Sequence, residues 1–285
     1  MDSEAVDLEG RGLRELPDEI GGLTRLRWLD LSRNELEGLP GWLRALHTIE
    51  HLSLRANRLR ALPETIWQLP RLRSLSIGEN PLARLPDEIG GLAGLTRLFV
   101  HESDLEELPE AIGRLSALRV LDAGHNRLRS LPRSIDRLGK LDVLYVHDNR
   151  LGSLPDGVGA LASLTYLNAS ANGISHLPDG LGRLRSLVEL RLIDNGVEEL
   201  PPSIGRLGRL RELHLRGNRL SGLPDAIAQL SELRLLDLRA NGLRSLTPAI
   251  TELPRLEKLD LRWNKLVDLP EWVGPLRERG CVVLA

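Results

Sequence analysis

The chain has 285 residues, of which 41% are hydrophobic and 3% aromatic, and its formal net charge is −2. This charge gives no electrostatic reason to expect nucleic acid or an anionic membrane as a partner. A single cysteine, Cys281, excludes an internal disulfide. The N-terminal segment lacks the regions of a signal peptide, and no apolar run predicts a membrane span, so we expect a reducing, cytoplasmic setting. The basic residues are almost all arginine, which suggests a bacterial source.

Residues 1–25 come first in chain order and are predicted to cap the fold. Val6 and Leu8 alternate with polar residues and indicate a degenerate strand. Residues 17–21 then predict a short helical turn, because Pro17 suits the first position and the carboxylates of Asp18 and Glu19 suit its positive end.

Residues 26–278 form eleven repeats of equal length. Asn34 and Asn57 occupy the same position in two successive repeats, so their separation along the chain gives the repeat length. Each repeat carries apolar residues at alternate positions, as at Leu29 and Leu31, which predicts a strand with one buried face. A Leu-Pro pair follows in nearly every repeat and precedes a helical turn. An asparagine marks the end of each strand except at Ser103, and we expect these side chains to satisfy backbone groups in a buried ladder. The asparagines are Asn34, Asn57, Asn80, Asn126, Asn149, Asn172, Asn195, Asn218, Asn241 and Asn264.

Residues 279–285 end the chain with Val282 and Leu284, which predict a final capping strand. The repeat reads LxxLxLxxNxL and resembles the leucine-rich-repeat family, in the 23-residue Leu-Pro form of the Ras-group intracellular repeats and their bacterial relatives. The resemblance implies an α/β solenoid: a horseshoe with a concave parallel β-sheet and convex short helices or 3-10 turns. We therefore expect one leucine-rich-repeat domain over residues 1–285.

Outward strand positions one repeat apart should stack in columns on the concave face. The chain's one phenylalanine, Phe99, and its two tyrosines, Tyr145 and Tyr166, all fall in these columns. Aromatic side chains that face solvent gain no core burial, so partner binding accounts for them better than packing does. We predict a binding site on the middle repeats, composed of Phe99, His101, Glu102, Asp122, His125, Tyr145, His147, Asp148, Tyr166, Asn168, Arg191, Asp194 and His214.

Two chemical alternatives for these residues stay open. His101 and His147 are two rungs apart, about 9.6 Å between backbones, and with His125 they are candidate ligands for a divalent metal such as zinc. The simpler interpretation is that no cofactor binds and that these side chains hydrogen-bond a partner. His101, Asp122 and His147 are also candidate catalytic residues, because adjacent histidine and aspartate can form an acid–base dyad. An open sheet excludes water poorly, which argues against catalysis.

Near the C-terminus, Arg216, Arg239 and Arg262 form a basic column beside Asp237 and Asp260. We interpret this column as a ladder of ion pairs, the alternative being a clamp for acidic side chains or a carboxyl terminus.

These patterns predict a non-enzymatic, intracellular scaffold that binds a protein or peptide on the central concave face. The alternative is a peptide- or small-molecule-modifying enzyme, possibly metal-dependent, that uses the same His/Asp/Tyr cluster.

Overall fold

A computed structural model describes residues 3–285. Its contacts divide the chain into two compact units. The first unit extends to Leu128 and includes Pro132–Leu141, and the second consists of Arg129–Leu131 and Asp142–Ala285. The prediction of one domain over the whole chain stays a prediction.

In the first unit, strands three residues long alternate with 3-10 helices of five residues. The strands are β1 (Ala5–Asp7), β2 (Trp28–Asp30), β3 (His51–Ser53), β4 (Ser74–Ser76), β5 (Arg97–Phe99) and β6 (Val120–Asp122). The 3-10 helices are Asp18–Gly22, Gly41–Ala45, Glu64–Gln68, Asp87–Gly91, Glu110–Arg114 and Arg133–Arg137. Neighbouring strands pair in parallel with a register of one repeat, as Leu29 with Leu52.

The second unit repeats this pattern. Its strands are β7 (Val143–Tyr145), β8 (Tyr166–Asn168), β9 (Glu189–Arg191), β10 (Glu212–His214), β11 (Leu235–Asp237), β12 (Lys258–Asp260) and β13 (Val282–Leu284). Its 3-10 helices are Asp156–Ala160, Asp179–Arg183, Pro202–Arg206, Asp225–Gln229 and Pro248–Glu252, and one α-helix, α1, spans Val273–Glu278. Both units thus have the predicted solenoid architecture of parallel strands joined by short helical turns.

Leucine and isoleucine side chains fill the core from both sides of each repeat. Leu29 on β2 and Leu31, just after it, are fully buried, and so are Leu43 and Leu46 from the helical side. Pro40 has an extended backbone (φ −70°, ψ 152°) and precedes the helical residues. The prediction that proline is the first residue of each helical turn is therefore wrong by one residue, because the proline precedes the helix. The prolines of the Leu-Pro pairs direct the chain into the turn from outside it.

The asparagines form the predicted ladder. The Asn57 amide nitrogen donates to the carbonyl oxygens of Leu31, Leu54 and Arg55, and its amide oxygen accepts from the Leu36 backbone N–H. One side chain therefore satisfies backbone groups of two neighbouring repeats. Because most of these groups are buried, losing the side chain would leave them without hydrogen bonds.

The residue before each ladder asparagine lies in the left-handed region. Ala56 has φ +55°, His125 +51° and Gly217 +69°. The predicted column that holds Glu102, His125, Asp148 and Asp194 consists of these residues, so it belongs to the turn that ends each strand.

Both ends carry the predicted capping strands. In β1, Val6 pairs with Leu29, although Leu8 lies just beyond the strand, and in β13 Val283 pairs with Leu259. Cys281 is buried in the C-terminal cap, and this burial raises the pKa of its thiol.

Candidate functional site

On the sheet face of the first unit, the structure gathers His101 and Asp122 with two residues that the sequence did not single out, Arg55 and Glu79. We call these four residues the first-unit cluster. The His101 ring lies against Gly78, where a Cβ atom would come within 2.9 Å of ring atom Cε1. His101 Nε2 is 3.7 Å from Glu79 Oε1, and its Nδ1 is 3.6 Å from Asp122 Oδ2.

The charges of this cluster are partly satisfied. Arg55 Nε donates to Glu79 Oε1, and this hydrogen bond is the main reason why the pKa of Glu79 is lowered. Asp122 Oδ1 accepts from the Gly124 backbone N–H at 3.1 Å. The buried Nδ1 of His101 makes no hydrogen bond, since 3.6 Å to Asp122 is too long. The predicted dyad of His101 and Asp122 is thus adjacent but not hydrogen-bonded.

Other predicted residues of the first unit lie around this cluster. Phe99 is half-buried on β5 and pairs in register with Asp122 on β6. Glu102 and His125 are exposed in the turns that follow these strands, with φ +51° for both.

On the sheet face of the second unit, three rings form what we call the aromatic patch: Tyr145, His147 and Tyr166. The tyrosine ring centroids are 5.1 Å apart, and the His147 ring meets Tyr145 edge-on at 6.0 Å. All three residues are half-buried. Burial raises the pKa of the Tyr166 hydroxyl, which the Arg191 charge partly opposes.

The remaining predicted residues of the second unit border the patch or continue along the sheet. Asn168 pairs in register with Tyr145 on one side and Arg191 on the other. Asp148 and Asp194 are exposed in the turns with positive φ, and Asp194 Oδ1 lies over Gly217. The predicted metal set of His101, His125 and His147, and a dyad of Asp122 with His147, draw on both units and stay predictions.

Glu189 and Glu212, two further residues that the sequence alone did not identify as site residues, lie close to His214. His214 Nε2 is 3.0 Å from Glu212 Oε2 and 3.7 Å from Glu189 Oε1. Arg191 Nε donates to Glu189 Oε1. The sequence signal is a pair of glutamates one repeat apart, each two positions before a basic residue, Arg191 or His214.

Two of the three arginines in the C-terminal basic column form the predicted ion pairs, while Arg216 is exposed. Arg239 donates to both oxygens of Asp237, and Arg262 to both of Asp260. Burial of the aspartates acts to raise their pKa, but the arginine hydrogen bonds outweigh it and the pKa of each is lowered. Since these guanidinium groups are already engaged, the ion-pair interpretation is favoured over a clamp for an acidic ligand.

None of the helices in residues 3–285 has both the length and the apolar character that crossing a bilayer requires.

Protein-family models described as "Leucine-rich repeat region" match residues 97–172 and 157–231, and those described as "Leucine rich repeat" match residues 4–59, 24–82 and 208–266. No curated protein matches the chain.

Solved structures resemble the chain over nearly its whole length. A leucine-rich-repeat protein of Leptospira interrogans is 28% identical, with a TM-score of 0.59 over 99% of this chain and 95% of that one. The PEPR1–AtPEP1 crystal structure is 32% identical, with a TM-score of 0.82 over 95% of this chain. The plant peptide hormone receptor RGFR1 in complex with RGF2 is 25% identical, with a TM-score of 0.66 over 93% of this chain. The chain spans 39% and 54% of the last two proteins.

Proposed function

Because this chain belongs to the leucine-rich-repeat proteins, we propose that it is a non-enzymatic scaffold that recognises a protein or peptide on its sheet face. In the second unit the proposed contact surface is the aromatic patch, bordered by Asn168 and Arg191. The single observation that carries this proposal is the close, half-exposed pair of Tyr145 and Tyr166, whose rings are tilted by 48°.

The tyrosine pair has the properties of a binding anchor. Its rings lie on the outer side of strands whose inward residues, Leu144 and Leu167, are fully buried, so the rings add nothing to the repeat core. Tyrosine presents a large contact area with few rotatable bonds and often dominates binding free energy. The strands hold the rings in place before a partner arrives, which lowers the ordering cost of binding.

Polar groups beside the patch can supply specificity. The Asn168 side chain and the Arg191 guanidinium lie within one or two rungs of the tyrosines. Arg191 Nε donates to Glu189, and the terminal guanidinium nitrogens of Arg191 are the planar donors suited to a carboxylate or a backbone carbonyl of the partner. The structure of a plant peptide hormone receptor in complex with RGF2, built on similar repeats, supports a peptide as partner.

The test is selection of binding peptides from a displayed random library on the folded wild-type protein, followed by Kd measurement on purified variants. The double variant Tyr145→Ala with Tyr166→Ala should lose at least about 30-fold in affinity, which corresponds to about 2 kcal/mol or more. Trp263→Ala is the matched control, because Trp263 is an exposed aromatic residue of the same unit, and it should retain wild-type affinity.

Far-ultraviolet circular dichroism should be unchanged in both variants. Peptides that bind the folded double variant as tightly as the wild type would refute the aromatic patch as the contact surface. Failure of the wild type to select any peptide or protein ligand would refute the scaffold function itself.

A further inference from the structure

Three side chains on neighbouring strands of the second unit converge without any role in the proposed peptide contact: Glu189, Glu212 and His214. β9 and β10 pair so that Glu189 lies opposite Glu212 and Arg191 opposite His214. One carboxylate oxygen of each glutamate and one ring nitrogen of His214 all lie within 4.8 Å of one another. The two strands therefore present a nitrogen and two oxygens to a common point.

The separations between these atoms are close to those around a small transition-metal ion. Zinc binds histidine nitrogen and carboxylate oxygen at about 2.0–2.2 Å, so tetrahedral ligand atoms stand about 3.3–3.6 Å from one another. His214 Nε2 is 3.0 Å from Glu212 Oε2 and 3.7 Å from Glu189 Oε1, values on either side of this range. Small rotations about the glutamate side-chain bonds would equalise them.

The local charge also favours a cation. Directly opposed like charges on neighbouring strands destabilise a sheet, and Glu189 and Glu212 form such a pair. Arg191 offsets one of the two carboxylates, which leaves a net negative charge when the imidazole is neutral. Hydrogen bonds from outside the ligand shell orient a ligating carboxylate, and Arg191 stands in that position toward Glu189.

Burial makes these ligands ordered yet reachable. The side chain of His214 is 12% exposed, that of Glu189 21% and that of Glu212 43%. His214 and Glu189 are thus held by packing, while the Glu212 side opens to solvent and leaves room for a fourth ligand from water. The ion pairs on β11 and β12 lack this character, because each aspartate there is matched by its own arginine and no imidazole takes part.

We propose that Glu189, Glu212 and His214 bind one divalent transition-metal ion, with zinc as the best match to one imidazole and two carboxylates. The hard ions Mg²⁺ and Ca²⁺ prefer all-oxygen shells with more ligands, so they should bind much more weakly. This inference stands apart from the proposed function, since none of the three ligands belongs to the aromatic patch; Arg191 alone takes part in both.

The test is isothermal titration of untagged, chelator-treated full-length protein with ZnCl₂ near neutral pH. The wild type should bind one ion per chain with a micromolar Kd, and MgCl₂ should give no comparable heat. His214→Ala and Glu212→Gln should each weaken zinc binding at least about tenfold. His176→Ala is the matched control, because His176 is an exposed histidine in the same unit, and it should leave the affinity unchanged.

Co²⁺ gives a second readout, since the loaded wild type should show the visible absorption of a four-coordinate ion and His214→Ala should not. Zinc binding of equal strength in the wild type and in the folded His214→Ala and Glu212→Gln variants would overturn the site. A wild type that takes up no zinc would overturn it as well.

Discussion

The two units use the same repeat backbone but pair their charges in different directions. In the first unit, pairs on the sheet face cross from rung to rung, as Arg55 with Glu79 and His101 with Asp122. In the second unit the shortest sheet-face pairs run along single strands, between residues two positions apart, as Asp237 with Arg239, and cross-rung contacts such as Arg239 with Asp260 at 3.6 Å are longer. Glu189–Arg191, Glu212–His214 and Asp260–Arg262 follow the same rule.

The burial of these acids differs with the strand position that holds them, not with the direction of pairing. The side chains of Asp237 and Asp260, each the last residue of its strand, are 5% and 3% exposed. The Glu79 side chain is 28% exposed, and the strand-internal partners Glu189 and Glu212 are 21% and 43% exposed. Ion pairs on one sheet face therefore differ in strength according to the strand position that holds the acid.

The asparagine ladder differs between the units as well. In the first unit Ser103 interrupts it, so no amide oxygen is available for the Leu82 N–H, which bonds instead to the Asn80 carbonyl at 2.8 Å. The backbone then turns through Ala83 at φ +57°. Asn126 compensates further along the chain, because its amide oxygen accepts from both Ser103 and Leu105. Ser103 therefore has a local structural consequence, which does not require a functional role.

The largest expected effect tests this ladder difference. Asn126→Ala should destabilise the protein by about 3 kcal/mol or more, because it leaves several buried backbone groups without partners. The loss should exceed that of Asn218→Ala by about 1–2 kcal/mol, since one more buried N–H loses its acceptor. Urea denaturation gives the difference, and hydrogen exchange at Ser103 and Leu105 locates it. Equal losses for the two variants would show that the break at Ser103 carries no energetic consequence.

The second prediction concerns acid and the strand-internal pairs. The pKa of Asp237 and of Asp260 is lowered in the fold, so their stabilisation is complete above the unfolded value of 3.8 and is lost as pH falls through the folded values. Asp237→Asn with Asp260→Asn should cost about 1–3 kcal/mol at neutral pH and flatten the loss of stability on acidification.

Glu79→Gln is the control for that experiment in the first unit. Loss of the more exposed ion pair of Glu79 with Arg55 should lower the free energy of unfolding by less than about 1 kcal/mol. Thermal denaturation from about pH 6 to about pH 2.5 gives the comparison. A double variant whose stability falls as steeply as that of the wild type would contradict the assignment.

A smaller effect is expected at the left-handed turn residues. Gly217→Ala should destabilise by about 1–2 kcal/mol, because φ is +69° and the added Cβ would overlap Asp194 Oδ1. At the same turn position of the first unit, Ala56→Gly should change stability by less than about 1 kcal/mol, since relief of strain opposes a greater loss of entropy. Equal and small changes in stability in Gly217→Ala and Ala56→Gly would show that the Asp194 side chain moves away from the added Cβ at no cost.

The smallest effect concerns His51, which stacks on Trp28 with ring centroids 5.0 Å apart. Burial and the Arg97 charge lower its pKa below 6.5, so stability should fall slightly as pH drops from 6.5 through the folded pKa. Nuclear magnetic resonance titration should place the His51 midpoint below 6.5, and Arg97→Ala should raise it. A midpoint at or above 6.5 would contradict this environment.

Much of the fold could be predicted because the repeat is explicit in the residues. Alternating leucines, the Leu-Pro pairs and the asparagines predict the strands, turns and ladder, and the constant repeat length predicts which side chains are neighbours. It places Tyr145 one rung from Tyr166, and the structure confirms their contact. The cytoplasmic setting, the bacterial source and the single binding site on the middle repeats stay predictions.

Other features could not be predicted from columns alone. The convergence of Glu189 and Glu212 on His214 depends on how far each side chain reaches along or across the strands, which the stacking of residue types does not give. The Leu82 hydrogen bond that follows from Ser103 involves backbone rearrangement, which a column of residue types does not describe.

The amino-acid sequence by itself determined the periodicity, the buried face and the neighbours of each outward side chain, because a fixed repeat length imposes one register on every strand pair. Only the tertiary structure decided where those side chains lean. Arg191 reaches along its own strand to Glu189, while Arg55 reaches across a rung to Glu79. That choice depends on rotamers, burial and competing partners, which act in three dimensions and have no periodicity in the chain.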